Sequence, residues 1–568
     1  MRNTRKLLLI CNFIFLYCFG QDYNIEWIKT AGDVATDQAL DVEVDALGYV
    51  YTVGEFYYDV DFDPGMDTFY LNSSGGNDIF IQKLGPDGSL VWAKSIGGYG
   101  GDRAVSLSMD QEGNLYITGH FGPYVDFDPG VGDFMISTSD IRDVFILKLN
   151  FDGEFMWVKH IEGLSMENAR NIEIDSDGNI YVLGEYNYMT DFDPGVNVYN
   201  LSPINNYKDI FILKLDHLGD FVWVKSVGGA GSEYARSMCV DDSGYVNIIG
   251  EFSSDIDVDP DSGIYNLSSN GYNDYFILRL DSTGSFVWGK NVGGSNQDFG
   301  FSITSDHLGN LYLAGFFKDT VNVELNDGDI SLISKGGSDV IIQKINSNGD
   351  FIWSKSIGGE GQDMVAKILL DDDQNVYITG SFESIVDFNP GLGVYNLESP
   401  GILDSDVFLI KLNSNGEFLN AVSIGGEDSE YPFGISIDQF GKIYICGSFY
   451  GNLNYTSSNT QYEFESNGSF DFFVSKLNQY PLDLEEVNSF NTAVIYPNPA
   501  DKIVNIQMDG WADKKIVFSD IFGRILFEEH INGESEINFD ISKFSSGIYF
   551  IEIYQNGQSC IKEKLIIE

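Results

Sequence analysis

Residues 104–110, "AVSLSMD", 114–121, "NLYITGHF", 143–149, "DVFILKL", and 154–161, "EFMWVKHI", decide how this chain folds. The first alternates polar and apolar residues. The other three are short runs rich in Val, Ile, Phe and Tyr, bounded by Gly, Asp and Asn, so all four read as strands. Asp110 and Gly113 join the first two: the carboxylate accepts backbone N–H bonds and the glycine takes the left-handed conformation of a tight hairpin. Gly153 does the same between the last two.

These marks return along the chain. Tryptophans stand at 27, 92, 157, 223, 288 and 353, separated by 65, 65, 66, 65 and 65 residues, which signals an internal repeat. Gly54, Gly119, Gly184, Gly250, Gly315, Gly380 and Gly447 are each followed two residues later by Phe or Tyr, giving seven copies. Four short strands per copy is the composition of a propeller blade. The last copy supplies "FGISID", "KIYICGSF" and "DFFVSKL", then breaks at Gln479-Tyr480-Pro481 with one strand missing. "NIEWIKT", residues 24–30, is a strand without a preceding three; it can complete the last blade and leave no open edge at the join. The expected fold is all-β: a seven-bladed β-propeller over residues 21–479, closed by an N-terminal strand.

Charge narrows the partners. Lys+Arg number 32 against 86 Asp+Glu, and the formal charge of -54 repels a phosphate backbone or an anionic bilayer, which argues against nucleic acid. Cations, neutral glycans and basic proteins remain. Arg2, Arg5 and Lys6 precede an apolar run from Leu7 to Phe19, with Gly20 at a cleavage point, so residues 1–20 read as a secretory signal peptide. The run is short for a bilayer span, and no transmembrane anchor is expected. Tyr17 ahead of Cys18 argues against lipidation. Losing three positive charges takes -54 to -57, and Cys239, Cys446 and Cys560 remain, too few for a disulfide framework.

Each copy runs through a glycine pair, an acid, a hairpin acid, the Gly-x-aromatic mark, an Asp before the third strand and a Trp in the fourth. This order resembles the bacterial SBBP-type β-propeller repeat, and the resemblance implies a seven-bladed ring while leaving function open. "DSTGSFVW", residues 281–288, also resembles the tryptophan-docking motif of pyrroloquinoline quinone dehydrogenases, which implies that Trp braces neighbouring blades by stacking. Asn420 replaces it in the sixth copy, and no cofactor cluster breaks the repeat. A sialidase-type Asp box does not fit, because Trp288 stands four residues after Gly284.

Asp37, Asp102, Glu167, Glu233, Asp298, Asp363 and Glu430 stand eight residues before each hairpin acid. Asp78, Asp143, Asp209, Asp274, Asp339, Asp406 and Asp471 form a further series. Acids present in every copy are read as bonding loop amides, since an active site on a propeller is asymmetric. Counting back two and four residues from each hairpin acid reaches a varied set that includes Asp41, Glu43, Asn171, Glu173 and Lys367, while the alternate positions are apolar almost throughout. If the first strand lines the axis, these five face the central channel and are the candidate ligand-binding residues. A water-filled channel without a preferred ligand is the competing reading.

"VDFDPG", residues 60–65, recurs at 125–130 and 190–195. In a strand, i and i+2 share a face, so Asp61 with Asp63, Asp126 with Asp128, Asp191 with Asp193, and Asp257 with Asp259 are candidate calcium ligands. Calcium wants six to eight oxygens and the D-x-D-x-D-G pattern is incomplete. The favoured reading is structural: Pro-Gly turns, Phe62 anchors, and the acids cap local amides.

After an acidic linker at 480–489, residues 490–568 hold seven short β-rich runs, the pattern of a small β-sandwich. Pro497, Asn498 and Pro499 after Tyr496, Gly523 and Arg524 in "DIFGR", Gly547 and Tyr549 in "SGIY", and Lys564 in the terminal strand stand in this order. They resemble the type A C-terminal sorting domain of the type IX secretion system of Bacteroidetes. That resemblance implies the type IX secretion machinery as a partner and export through the periplasm to the outer surface or the medium. The reading is a secreted or cell-surface propeller, a non-enzymatic binding or scaffold protein with an extracellular glycan or protein ligand. The alternative is an extracellular carbohydrate-active enzyme with its site at one mouth of the ring.

Overall fold

The computed structural model describes residues 21–481, apart from 139–140, 326–327, 402–403 and 457–460, and residues 493–567, apart from 497–499, 501, 509–513, 521–523, 532–535, 546 and 556–557. The expected signal peptide, residues 1–20, and most of the expected linker, 480–489, lie outside the described residues. The described chain is all-β, with one 3-10 turn at Ile204–Asn206, and divides into two compact units, the first ending at Tyr480 and the second beginning at Pro481.

Seven antiparallel sheets, each built on four strands, make a propeller-like repeat in the first unit. In the first copy the strands are Gln38–Val44, Val50–Phe56, Asp78–Leu84 and Leu90–Ile96, neighbours in that order. The middle two are buried along their whole length because sheets cover both of their faces, which explains their unbroken apolar sequence. The fourth strand is half-exposed. The last sheet draws on distant segments: Glu430–Ile437, Ile443–Phe449, Asp471–Pro481 and, at its edge, Gln21–Ala31.

The apolar cores lie between sheets. Tyr51, Val53 and Ile81 of the first copy pack with Ala104, Leu107 and Ile117 of the second, and Ala39, Val42 and Phe80 pack with Trp27, Tyr444 and Phe472 of the last sheet. The first strand of every sheet packs against that of the next, and Glu430–Ile437 packs against Gln38–Val44.

Tryptophans fasten these joints. Trp223, Trp288 and Trp353 each donate their indole N–H to a carbonyl in the third-to-fourth-strand hairpin of the following copy, Ser282, Ser347 and Ser414, at 3.3, 3.0 and 3.2 Å. Trp27 donates to Pro86 in the first copy at 3.2 Å. The hairpin glycine lies flat on the ring: a Cβ built on Gly88, whose φ is +77, would stand 3.0 Å from Trp27 Cδ2. The exception at Asn420 has a physical reason. The next copy contributes only three strands of its own, so it has no such hairpin for a tryptophan to meet.

The repeat contains more than four strands, and here the sequence reading needs correction. "VDFDPG" enters an additional short hairpin, Asp59–Asp61 paired with Tyr70–Asn72 in the first copy. In the fourth copy the equivalent strand hydrogen-bonds the fourth strand of the preceding sheet, Gly228 opposite Asp257 and Gly229 opposite Ile256, so the hairpin also straps two sheets together. Several of the repeated acids bond loop amides: Asp102 accepts from the Gly98 and Gly122 N–H groups at 2.8 and 2.7 Å, and Asp37 from Asp33 and Tyr57, both at 2.8 Å, whereas Glu233 and Glu430 of the same series are buried without such bonds among the described residues.

The second unit holds a three-stranded sheet of Ala493–Tyr496, Ile503–Met508 and Glu536–Asp540, and a four-stranded one of Ile525–Ile531, Lys514–Asp520, Gly547–Gln555 and Gln558–Ile567. Val504 and Ile506 from the first share a core with Ile516, Phe518, Ile551 and Ile553 from the second.

Candidate functional site

Every first strand carries a β-bulge at the same place. The register shifts between Ala39 and Asp41, Ala104 and Ser106, Ala169 and Asn171, Ala235 and Ser237, Gly300 and Ser302, Val365 and Lys367, and Pro432 and Gly434. A bulge leaves one residue outside the ladder and re-aims its side chain. The residues so released are Leu40, Val105, Arg170, Arg236, Phe301, Ala366 and Phe433.

Just past the bulge, a hydrogen-bonded belt links the sheets. Asp41 Oδ2 accepts the Leu107 N–H at 3.0 Å, Ser106 Oγ that of Ile172 at 3.3 Å, and Asn171 Oδ1 that of Met238 at 2.8 Å. Ser237 and Ser302 continue it to Ile303 and Ile368 at 3.4 and 3.1 Å. Lys367 cannot accept; it reaches past Gly434, which has no side chain, and its Nζ lies 2.6 Å from Asp41 Oδ1. Glu43 accepts from the Ser436 hydroxyl at 3.1 Å. Burial pushes Glu43 up to about 7 and Glu173 to about 8, against the nearby positive charge of Lys367. Burial works against the Lys367 charge, but Asp41 and Glu43 overcome it and raise its pKa. The five residues singled out from the sequence lie on the first strands of the first, third and sixth copies; Lys367 bonds Asp41 directly, while Asp41 and Asn171 bond the neighbouring strands at Leu107 and Met238.

The released bulge residues surround two adjoining cavities. One, of about 220 Å³, is lined by Arg103, Val105, His120, Asn168, Arg170 and Arg236, with Leu40, Phe301 and Phe433. Its walls come from six copies at once, so it lies where their first strands meet. The other, of about 450 Å³, shares Phe301 and Phe433 and adds Phe316, Met364, Ala366, Tyr431 and Phe470. Of the middle residues of the Gly-x-aromatic marks, His120 lines the first cavity and Phe316, Ser381 and Ser448 the second, while Glu55, Glu185 and Glu251 line neither.

The mouth is thus divided. On one side Arg170 grips Glu185 through Nε at 3.0 Å and Nη2 at 3.3 Å, Lys208 meets the same carboxylate at 3.4 Å, Arg236 pairs with Glu251, and Arg103 lies 3.6 Å from Glu55. Glu185 and Glu251 are buried whereas their arginines remain partly exposed, so the acids hold the guanidiniums from behind. Arg142 donates to His120 Nε2 at 3.1 Å. Burial, with the charges of Arg142, Arg103 and Arg170, pushes His120 down to about 3; the neutral ring then carries its proton on Nδ1. On the other side Phe299 and Phe301 pack on Phe316 with centroids 4.8 and 6.1 Å apart, and Tyr431 packs on Phe470 at 5.9 Å. Arg236 bridges the halves, 5.1 Å from the Phe301 ring.

Sequence reasoning missed this mouth. It counted two and four residues back from the hairpin acid, but the bulge turns the fifth residue toward the cavities. Arg170 and Arg236 interrupting an apolar column were the available signal.

The acids of "VDFDPG" bond amides of their own loops. Asp61 Oδ1 accepts the Asp63 and Phe69 N–H groups at 3.1 and 2.7 Å, and Asp63 Oδ1 that of Gly65 at 2.8 Å. Asp126 with Asp128, and Asp191 with Asp193, repeat this pattern; Asp257 accepts from Asp259 and Tyr265, and Asp259 from Asp261. No three His, Cys, Asp or Glu side chains among the described residues converge as a metal site. In the second unit, Pro497, Asn498, Pro499 and Gly523 lie outside the described residues; Arg524 is exposed, Gly547 begins a strand, the Tyr549 hydroxyl donates to Ser545 O at 2.7 Å, and Lys564 pairs with Phe550 in the ladder.

Residues 494–568 match the secretion system C-terminal sorting domain family. The tail directs export by the type IX secretion system to the cell surface or extracellular space. No helix among the described residues is long and apolar enough to cross a membrane. The chain is 22% identical over 541 residues to an uncharacterized WD repeat-containing protein of Acanthamoeba polyphaga mimivirus, covering 80% of this chain and 38% of that protein. It is 23% identical over 360 residues to the regulatory protein FlaEY of Caulobacter vibrioides, covering 60% and 35%. The chain thus spans less than two fifths of the length of these curated relatives. Among solved structures it is similar to a Bacteroides caccae protein of unknown function, at 12% identity and a TM-score of 0.29, over 57% of this chain and 87% of that one. It is also similar to the extracellular domain of a putative hybrid two-component system of B. thetaiotaomicron, at 13% and 0.20, over 93% and 86%.

Proposed function

We propose that residues 21–479 form a seven-bladed β-propeller of SBBP type, closed by its N-terminal strand, and that a linker at 480–489 joins it to a β-sandwich sorting domain at 490–568. The seven four-stranded sheets, the contact between last and first, and the docking of Trp27 on the first copy support this reading. Export through the sorting domain, after removal of the signal peptide, delivers a non-enzymatic binding protein to the cell exterior. Its ligand sits in the divided mouth. One observation carries the proposal: the joints between sheets repeat almost without change, whereas the bulge residues range over Leu, Val, Arg, Phe and Ala and converge on two adjoining cavities. Repetition stabilises a scaffold; departure from it on one enclosed surface serves recognition.

The channel residues Asp41, Glu43, Asn171, Glu173 and Lys367 lie in the next tier along the same strands and form the floor of that site. The test is a binding screen on glycan and protein arrays with the chain from residue 21, beside the Phe301→Ala and Phe433→Ala double variant, together with a hydrolase and lyase screen. Binding that the double variant loses, without turnover, is the expected result. Turnover lost in the same variant would replace the binding role with the carbohydrate-active enzyme.

A further inference from the structure

Arginine is scarce in this chain. Beyond residue 20 it occurs at 103, 142, 170, 236, 279 and 524, and the first four gather at the mouth in a protein of formal charge -54. With Lys208 they set five cations against the carboxylates of Glu55, Glu185 and Glu251, and His120 adds no charge. The cluster therefore keeps an excess of positive charge after all its internal pairs are made. Its donors are also not exhausted: Arg142 Nε and His120 Nδ1 are buried without a hydrogen-bond partner among the described residues. Unmet donors of this kind are costly unless something accepts from them. Beside them the second cavity offers aromatic faces and almost no charge.

We infer that the mouth binds an organic anion with a flat apolar body, its charged head on Arg103, Arg170 and Arg236 and its body against Phe301, Phe316 and Phe433. The inference rests on reading the mouth as the binding site and specifies the chemistry of its ligand. Guanidinium groups held from behind by buried acids present planar pairs of N–H donors, which fit a carboxylate head. Phe301, touching both cavities and packed on Arg236, sets the junction between head and body.

Naphthalene-2-carboxylate serves as the probe, with naphthalene-2-methanol as its neutral counterpart, titrated by calorimetry into the chain from residue 21. The carboxylate should bind at least about tenfold more tightly, the equivalent of one charge-assisted hydrogen bond. Arg170→Ala leaves Glu185 paired to Lys208, so the sheet keeps its buried acid compensated. This variant should weaken the carboxylate about tenfold and leave the alcohol unchanged, which also reports that the pocket is intact. Phe301→Ala should weaken both. Equal affinity for the two probes, both lost in Phe301→Ala, would overturn the anion while keeping the mouth as a binding site. Failure of both probes, together with array ligands indifferent to Phe301→Ala, would overturn the inference and the site alike.

Discussion

Removing Trp27 tests the joint on which the whole first unit depends. Its side chain is 7% exposed, packs 6.3 Å from the Tyr444 ring, donates to Pro86 O and covers Gly88. Trp27→Ala should cost about 3–5 kcal/mol, the range for deleting a buried aromatic. Gly88→Ala perturbs the same contact from the other side. The φ of +77 costs an alanine about 1–2 kcal/mol, and a Cβ 2.7 Å from Lys29 Cε and 3.0 Å from the indole adds about 1–3 kcal/mol of overpacking. With the indole gone, the alanine methyl has room, and Gly88→Ala should then cost only its backbone part. A double-mutant cycle by urea unfolding, followed through the remaining tryptophans, should give a coupling of about 1–3 kcal/mol, the overpacking part. Additivity to within about 0.5 kcal/mol would mean that the two residues do not share a joint, and the docking argument would fall.

Three further outcomes are expected. Burial, aided by Asp471 at Asp37, by Asp102 at Asp78 and by Asp339 at Asp363, raises these three to about 7, and burial alone raises Asp102 to about 6, above the roughly 3.9 of an unfolded Asp. The folded state therefore holds more protons, this contribution is fully present below about pH 4 and is lost through pH 6–7, so the melting temperature should fall from pH 5 to pH 8 and Asp78→Asn should lessen the fall. Because Asp61 Oδ1 caps two backbone amides, Asp61→Ala should cost about 1–3 kcal/mol with or without calcium; calcium-dependent melting of the chelator-stripped protein, lost when Asp61, Asp126, Asp191 and Asp257 become Ala, would assign these acids to the ion instead. Deleting residues 490–568 should leave a folded first unit in the periplasm on fractionation of the host, and unchanged recovery outside the cell would remove the sorting role of the tail.

The repeat was legible because each joint uses the same few residues. Trp, Gly and Asp recur at fixed distances, and even the exception at Asn420 marks the copy whose neighbour lacks a hairpin. The additional "VDFDPG" hairpin was not legible, since three-residue strands give too little alternation to distinguish them from a turn. The mouth was hidden for another reason. Side-chain direction in a strand follows a count of two, and one unpaired residue reverses every later assignment. Asp41 and Lys367 were found because they lie on the counted side of the bulge; Arg170, Arg236 and Phe301 were passed over because they lie beyond it.

The sheet shared by Gln21–Ala31 and Asp471–Pro481 has a consequence in time. The other six sheets draw their four main strands from one contiguous stretch of chain and can form as soon as that stretch is made, at small loop-closure cost. Gln21–Ala31 must wait, unpaired, until the strand some four and a half hundred residues later has been synthesised. The earliest strand to exist is the last to be satisfied. A half-made chain is therefore an open array with two sticky ends, and its capture by a chaperone, or by another half-made chain, competes with completion for as long as synthesis lasts.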